Sequence, residues 1–329
     1  MSDTPRPRML TGERPTGPLH IGHLFGTVAN RVRLQASGVE TFLVVADYQV
    51  ITDREVAGDL AGNVREIVLD YLAAGIDPDA ATIFTHSSVT ALHQLMLPFL
   101  SLVSVAELDR NPTVKTELAD SGRALSGLML TYPVHQAADI LFCHATVVPV
   151  GRDQLPHLEL TRTIARRFNQ RYSEYFTSPE GLLSQAPTVL GTDGRKMAKS
   201  RGNAIELRAS ADETVRAIRS ARTDSQRFIT YDPVERPEVA NLLLLTSLCT
   251  GVAPEVVADG IGDGGSGRLK AVLADALVAH LAPLRARRAL YAAEPGLVAD
   301  VLAQGNAHAN ELADATIRDV RELMGMVYR

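Results

Sequence analysis

Two hydrophobic rhythms divide the chain. Between residues 8 and 207 short β-branched runs alternate with longer amphipathic stretches, and past residue 208 apolar positions recur at helical spacing alone. The first rhythm predicts an α/β domain with a parallel sheet over residues 1–207, and the second an all-α helical domain over residues 208–329. Residues 8–12 read as the first strand, 20–36 as a helix stopped by Gly38, and 41–46 (TFLVVA) as a buried second strand leading into Asp47. In residues 63–74, Val64, Ile67, Val68, Tyr71 and Leu72 share one helical face, Gly75 is the stop, and 81–85 is the next strand. Residues 146–150 (TVVPV) give a later strand and 154–170 the helix behind it. Helices over 211–221, 237–251, 269–293 and 295–325 fill the second half. The glycine-rich DGIGDGGSGR, residues 259–268, follows no strand, so it reads as a flexible helix-to-helix connection rather than a phosphate cradle.

Composition narrows the function classes. With 329 residues and 46% hydrophobic content the chain can bury a sizeable core and suits two domains. A net charge of -5 leaves no chain-wide basic field, so any polyanionic partner must be met by local patches. The two cysteines, Cys143 and Cys249, are far apart and form no CxxC, which supports neither a disulfide framework nor a zinc knuckle; no metal ligand set is assigned. This usage fits a reducing cytoplasm. The opening MSDTPRPRML has no apolar core of a signal peptide, and NLLLLTSLCTG is far shorter than the ~20 residues that cross a bilayer. A soluble, cytoplasmic protein without membrane contact is expected.

Two segments carry chemistry. TGERPTGPLHIGHL, residues 11–24, puts a Gly/Pro turn between the first strand and the first helix, so that backbone N–H groups and the positive helix end face the ligand crevice of an open sheet. His20 and His23 stand three apart on one face beside Gly22, which lets a flat ring or a phosphate approach the backbone. Alone, the pair would read as two ordinary surface histidines. LGTDGRKMAKSRGN, residues 190–203, holds Arg195, Lys196 and Lys199 among glycines; such a loop can swing ammonium groups onto a polyphosphate as pyrophosphate leaves.

HIGH at His20–His23 and KMAKS at Lys196–Ser200 resemble the two signatures of class I aminoacyl-tRNA synthetases. TYPVHQAADI (131–140), VPVGRDQLPHLELTR (148–162), ARRFNQRY (165–172) and ARTDS (221–225) make the chain similar, over nearly its full length, to the tryptophanyl-tRNA synthetases. The resemblance implies a Rossmann-like catalytic domain, a helical anticodon-binding domain, a homodimer, and the substrates L-tryptophan, ATP with Mg2+, and tRNA(Trp). It implies ATP contacts at Arg14, Pro15, Thr16, Gly22, His23, Gly151, Arg152, Asp153, Lys196, Met197, Ala198, Lys199 and Ser200, with a further phosphate-contacting lysine at Lys115. His20, His23, Lys196 and Lys199 would carry catalysis. Asp139 corresponds to the acceptor for the indole N–H, and a carboxylate suits a ring that bears a donor. Tyr132 and Gln154 would hold the α-amino group, with Gln136 and Gln49 beside the pocket.

Four positions depart from the commonest family pattern. Ala198 replaces the first serine of KMSKS, Arg152 stands where glutamate is usual, and Gln49 and Gln136 stand where histidine and methionine are common. Tyr132, Gln136 and Asp139 also satisfy the Tyr-x3-Gln-x2-Asp pattern of tyrosyl-tRNA synthetases, where the polar pair would grip a phenol; AADI and the VGxDQ run resemble the tryptophanyl branch. A synthetase paralogue with a regulatory or antibiotic-resistance role is the other alternative. Candidate tRNA contacts are Arg162, Arg166, Arg167 and Arg171 on one helix and Arg285, Arg287 and Arg288 on another, although charged helix faces also serve as plain solvated surface.

Overall fold

The computed structural model describes residues 6–52, 58–121, 124–151, 154–183 and 188–328. After β1 (Arg8–Glu13) come α1 (Ile21–His23), a π-helical turn over Leu24–Val28, and α2 (Ala29–Ala36). Then follow β2 (Glu40–Val45), α3 (Leu60–Ala74) and β3 (Ala81–Thr85). α4 (Thr90–Leu100), α5 (Val105–Asp109), α6 (Pro112–Ser121) and α7 (Gly127–Phe142) lead to β4 (Val147–Val150). α8 (Leu155–Arg171) leads to β5 (Glu180–Leu183). Beyond residue 208 every regular element is a helix: α9 (Ala211–Ser220), α10 (Pro237–Thr250), α11 (Pro254–Ile261), α12 (Gly265–Ala293) and α13 (Leu297–Leu323).

The strands form one parallel sheet in the order β3-β2-β1-β4-β5. Alternate residues of β2 and β3 feed two cores. Leu43, Val45 and Ile83 join Ile67 and Tyr71 of α3 and the leucines of α10 and α12; Phe42, Val44 and Phe84 join α4, α7 and α8. Burial on both faces explains why the strand sequences are unbroken apolar runs rather than alternating ones.

The helical part of the chain does not pack as a separate body. α12 is tied to α3 by Arg288, whose Nε lies 2.7 Å from Asp70 Oδ1 and whose Nη2 lies 2.5 Å from Glu66 Oε2, and by Arg287, which donates to the Ala73 carbonyl. Arg285 donates to Thr214 Oγ1 at 2.6 Å. Of the Arg285, Arg287 and Arg288 group expected as a tRNA contact, Arg288 and Arg285 are half-buried with partners on α3 and α9, and Arg287 is exposed. α13 returns to the sheet, where Asn306 Oδ1 accepts from the Thr85 amide at 3.0 Å and His308 Nδ1 lies 2.8 Å from Thr82 Oγ1. β3 is an edge strand, and this helix occupies groups that an edge leaves unpaired.

The stretch at 259–268 is more ordered than expected. α11 runs to Ile261, Gly262–Gly264 makes a 3-10 turn, and α12 already begins at Gly265. Among the described residues no single helix is long and apolar enough to cross a membrane.

Gly305 sets how closely α13 approaches the sheet, since a Cβ there would lie 1.9 Å from the Ile83 carbonyl oxygen. Gly305→Ala is expected to push the helix off β3 and cost about 2 kcal/mol or more. A urea midpoint equal to that of the parent protein would show that the contact is not needed.

Candidate active site

β1 lies between β2 and β4, so the chain leaves the sheet in opposite directions on its two sides, and the crevice beyond the carboxyl ends of these strands is where open α/β sheets place ligands. The segment after β1 turns tightly, with the Thr16 amide donating to the Arg14 carbonyl at 2.8 Å, and Pro15 is buried. His20 is in extended conformation and caps α1. Its amide donates to His23 Nδ1 at 3.2 Å, and the two rings are 3.8 Å apart between centroids. A Cβ on Gly22 would stand 2.9 Å from the His20 ring and 3.6 Å from Met197 Sδ. The glycine at this position lets the protein's own imidazole and thioether pack against the backbone of α1.

The lysine segment shares this crevice. The Ile21 amide donates to the Ile205 carbonyl at 3.0 Å and the Leu207 amide to the Leu19 carbonyl at 3.0 Å. Lys199 opens a 3-10 turn over Lys199–Arg201, and its Nζ donates to the Gly17 carbonyl at 2.5 Å. Met197 is buried in the core under α1, whereas the Lys196 side chain is exposed. Asn203, 2% exposed, staples the loop: its Oδ1 accepts from the Ala198 amide at 2.9 Å and its Nδ2 donates to Asp193 Oδ1 at 2.7 Å. Ser200 lies in the turn, and its side chain is outside the described set.

Charge in the crevice is arranged around neutral histidines. Burial, then His23 and Lys199, push the His20 imidazole down to about 3. Burial pushes His23 down to about 4, with Glu13 opposing and Lys199 and Arg31 assisting. Burial works against the Glu13 carboxylate, yet Arg31, His23 and Lys199 outweigh it and hold its pKa below the ordinary value. Arg31 Nη2 lies 2.9 Å from Glu13 Oε1, and Arg31 Nη1 donates to the Tyr71 hydroxyl at 3.1 Å. Asp70 accepts from the Leu19 amide at 2.9 Å while holding Arg288, so one buried carboxylate links the turn before His20 to α12.

The expected amino-acid residues converge from α7, α8 and the turn after β2. Tyr132, His135, Gln136 and Asp139 occupy i, i+3, i+4 and i+7 of α7, hence one face. Asp139 and Tyr132 are buried and Gln136 half-buried. The Tyr132 hydroxyl is 2.9 Å from His157 Nε2. α7 packs on the 3-10 turn Tyr48–Thr52 that carries Gln49, and Gln154 heads α8 just past Gly151. Arg152 and Asp153 lie outside the described residues. Lys115 is exposed on α6, which packs on α7 and α8.

Sequence reasoning missed three clustered histidines, His86 and His135 buried and His93 half-buried. His86 Nε2 is 2.8 Å from Asp139 Oδ1, within ion-pair distance but not aligned as a hydrogen bond. His93 Nδ1 meets His135 Nε2 at 2.8 Å, and burial pushes His135 down to about 4. Glu13 and Asn203 were quoted in strings without roles, and Asp70 was not noticed; their partners are distant in sequence, so only periodicity of the flanking elements could have hinted at them.

The model of tRNA synthetases class I (W and Y) matches residues 2–282. The tryptophan–tRNA ligase of Treponema pallidum (strain Nichols) is 42% identical over 332 residues, spanning 98% of each chain. That of Lactococcus lactis subsp. lactis (strain IL1403) is 38% identical over 340 residues, covering 98% of this chain and 99% of the relative. In three dimensions the chain superposes on tryptophanyl-tRNA synthetase from Campylobacter jejuni complexed with ADP and tryptophan, with a TM-score of 0.82, 29% identity, and coverage of 97% and 99%. With the histidine turn and the lysine loop joined in one crevice of a Rossmann-like sheet, the chain belongs to the tryptophanyl-tRNA synthetases of class I.

Proposed function

We propose that this protein activates L-tryptophan with ATP to tryptophanyl-adenylate and pyrophosphate, then transfers the acyl group to tRNA(Trp), releasing AMP. The carrying observation is the reach of Lys199 Nζ to the Gly17 carbonyl: an ammonium stands over the turn that precedes His20. The substrate carboxylate attacks the α-phosphate in line and needs no protein nucleophile, so positioning and charge neutralisation supply the catalysis. Neutral His20 and His23 donate N–H bonds to the nucleotide and its phosphates, and Arg14, Pro15, Thr16 and Gly22 shape the cradle. Gly151, Arg152 and Asp153 receive the nucleotide, while Lys196 and Lys199, with Met197, Ala198 and Ser200, close over the departing pyrophosphate.

Mg2+ would arrive on the triphosphate and neutralise part of its charge. Glu13, the carboxylate beside the histidines, is engaged by Arg31, so the crevice residues fit a metal carried by phosphate oxygens better than a protein cage. Asp139 accepts the indole N–H, and Tyr132, Gln154, Gln136 and Gln49 hold the rest of the amino acid. For tRNA, Arg167 is occupied by Glu107 at 2.6 Å, which draws that carboxyl down to about 2. Arg162 donates to the Pro179 carbonyl at 2.8 Å and, with Arg166, Asn169, Gln170 and Tyr175, lines an open groove of ≈ 670 Å³, which leaves the exposed Arg166 and Arg171 of α8 and Arg287 of α12 as candidates. The division into a catalytic domain over 1–207 and an anticodon-binding domain over 208–329, a cytoplasmic location, and a homodimer of twice 35.5 kDa complete the reading.

ATP–pyrophosphate exchange run in parallel with tryptophan and tyrosine tests the assignment, and exchange driven by tyrosine alone would refute it. Lys199→Ala is expected to slow exchange by about a hundredfold while tryptophan affinity changes less than about twofold; an undiminished rate would remove the assigned role. Reversing Arg166 and Arg171 to glutamate should weaken tRNA binding and lower the salt slope by about 1 per residue. A slope equal to the parent's would clear α8 of tRNA contact.

A pH dependence follows from the depressed imidazoles. As pH falls below the ordinary value of 6.5, the unfolded chain takes up protons that folded His20 and His23 refuse until about 3 and about 4 respectively, so stability falls over that window and this penalty is absent above it. Between pH 7 and 5.5, His20→Asn with His23→Asn should flatten the loss seen in denaturant titrations. Parallel curves for parent and double variant would contradict the neutral assignment.

A further inference from the structure

Three histidines from separate elements meet at the floor of the proposed amino-acid pocket, and neither the adenylation chemistry nor the fold accounts for them. His86 follows β3, His93 lies on α4 and His135 on α7. His86 is 0% exposed, yet neither of its ring nitrogens has a hydrogen-bond partner, and Asp139 Oδ1 is likewise unpartnered by hydrogen bonding. Buried polar atoms are rarely left so, and each such atom calls for an explanation. One ligand atom from each of His86, His135 and Asp139 lies within 4.8 Å of the others.

The protonation pattern points the same way. His93 Nε2 lies 2.7 Å from the His86 carbonyl, which can only accept, so Nε2 carries the proton and the neutral ring accepts at Nδ1. His135 Nε2 must then be the donor across the 2.8 Å contact, which leaves His135 Nδ1 with its lone pair. An imidazole whose far nitrogen is fixed by a relay to a backbone carbonyl is the arrangement that orients metal-bound histidine.

We propose that His86, His135 and Asp139 form a site for a divalent transition cation of borderline softness, Zn2+ or Co2+, and that its occupation withdraws Asp139 from tryptophan. Two imidazoles and a carboxylate suit these ions rather than Mg2+. Bonds of about 2.0–2.2 Å require donors about 3.4 Å apart. The 2.8 Å edge between His86 and Asp139 must therefore open slightly and the widest edge close. The binding site stands on its own geometry; the antagonism with tryptophan rests on the role proposed for Asp139.

The test uses full-length, tag-free, metal-free protein, with CoCl2 and ZnCl2 as probes and no nucleotide. Co2+ is expected to bind one per chain with ligand-field bands in the visible, to be displaced by Zn2+, and to raise the apparent Kd for L-tryptophan at least tenfold. His135→Leu and His86→Gln should each weaken Co2+ binding by roughly a hundredfold; two variants, with circular dichroism on both, separate loss of ligand from loss of fold. Absence of the bands, meaning a histidine–aspartate pair only, overturns the site, as does binding that survives both substitutions. Metal and tryptophan binding independently overturns the antagonism. Failure of metal-free protein to exchange pyrophosphate with tryptophan would instead overturn the functional reading.

Discussion

Two backbone hydrogen bonds, between Ile21 and Ile205 and between Leu207 and Leu19, hold the molecule's chemistry together. They stitch the segment after the first strand to one that follows nearly two hundred residues later, and they do so with groups every residue owns. Side chains only need to be right locally: His20 and His23 on one lip, Lys199 on the other. The same seam brings the Lys199 ammonium to the Gly17 carbonyl in the turn before His20. Asp70 reinforces the seam from beneath by accepting from the Leu19 amide while gripping Arg288 of α12. A shift of α12 against α3 therefore has a direct mechanical route to the turn that carries His20.

The electrostatics of this seam depend on dryness. Burial is the leading cause of the depressed imidazoles, and the Lys199 cation adds to it, so the same residue that spans the crevice also keeps the histidines neutral. Neutral rings retain N–H donors without adding fixed positive charge beside the Lys199 ammonium. Glu13 and Arg31 form a buried pair that holds the local balance behind His23.

Much of this was legible in sequence. The strands after Arg8, at 41–46, 81–85 and 146–150 lie where β-branched runs placed them, because strands buried on both faces leave a strong signal. β5 escaped notice: EGLL has no β-branched residue, and its Gly181 packs under Leu158. Pro98 and Pro133 lie inside α4 and α7 and break the pattern a reader follows, although tertiary packing carries both helices through. The two signature motifs were visible because their residue types are rare together. Asn203 and the His86 cluster were not, since their meaning comes from partners in other elements. The ion pairs of Arg288 on α12 were invisible for the same reason: an arginine looks alike in sequence whether it faces solvent or the carboxylates of α3.

The return of α13 to the sheet bears on how the chain is made. Asn306 meets Thr85 across 221 positions, and Gly305 lies against Ile83 at a similar separation. A ribosome emitting this polypeptide must therefore release almost all of it before the outermost strand acquires its cover. Until then β3 presents an open hydrogen-bonding rim, and contacts this remote slow the search for the native state. A nascent intermediate with a formed sheet and an uncapped margin is thus built into the connectivity, and it is the species on which chaperone protection would matter most.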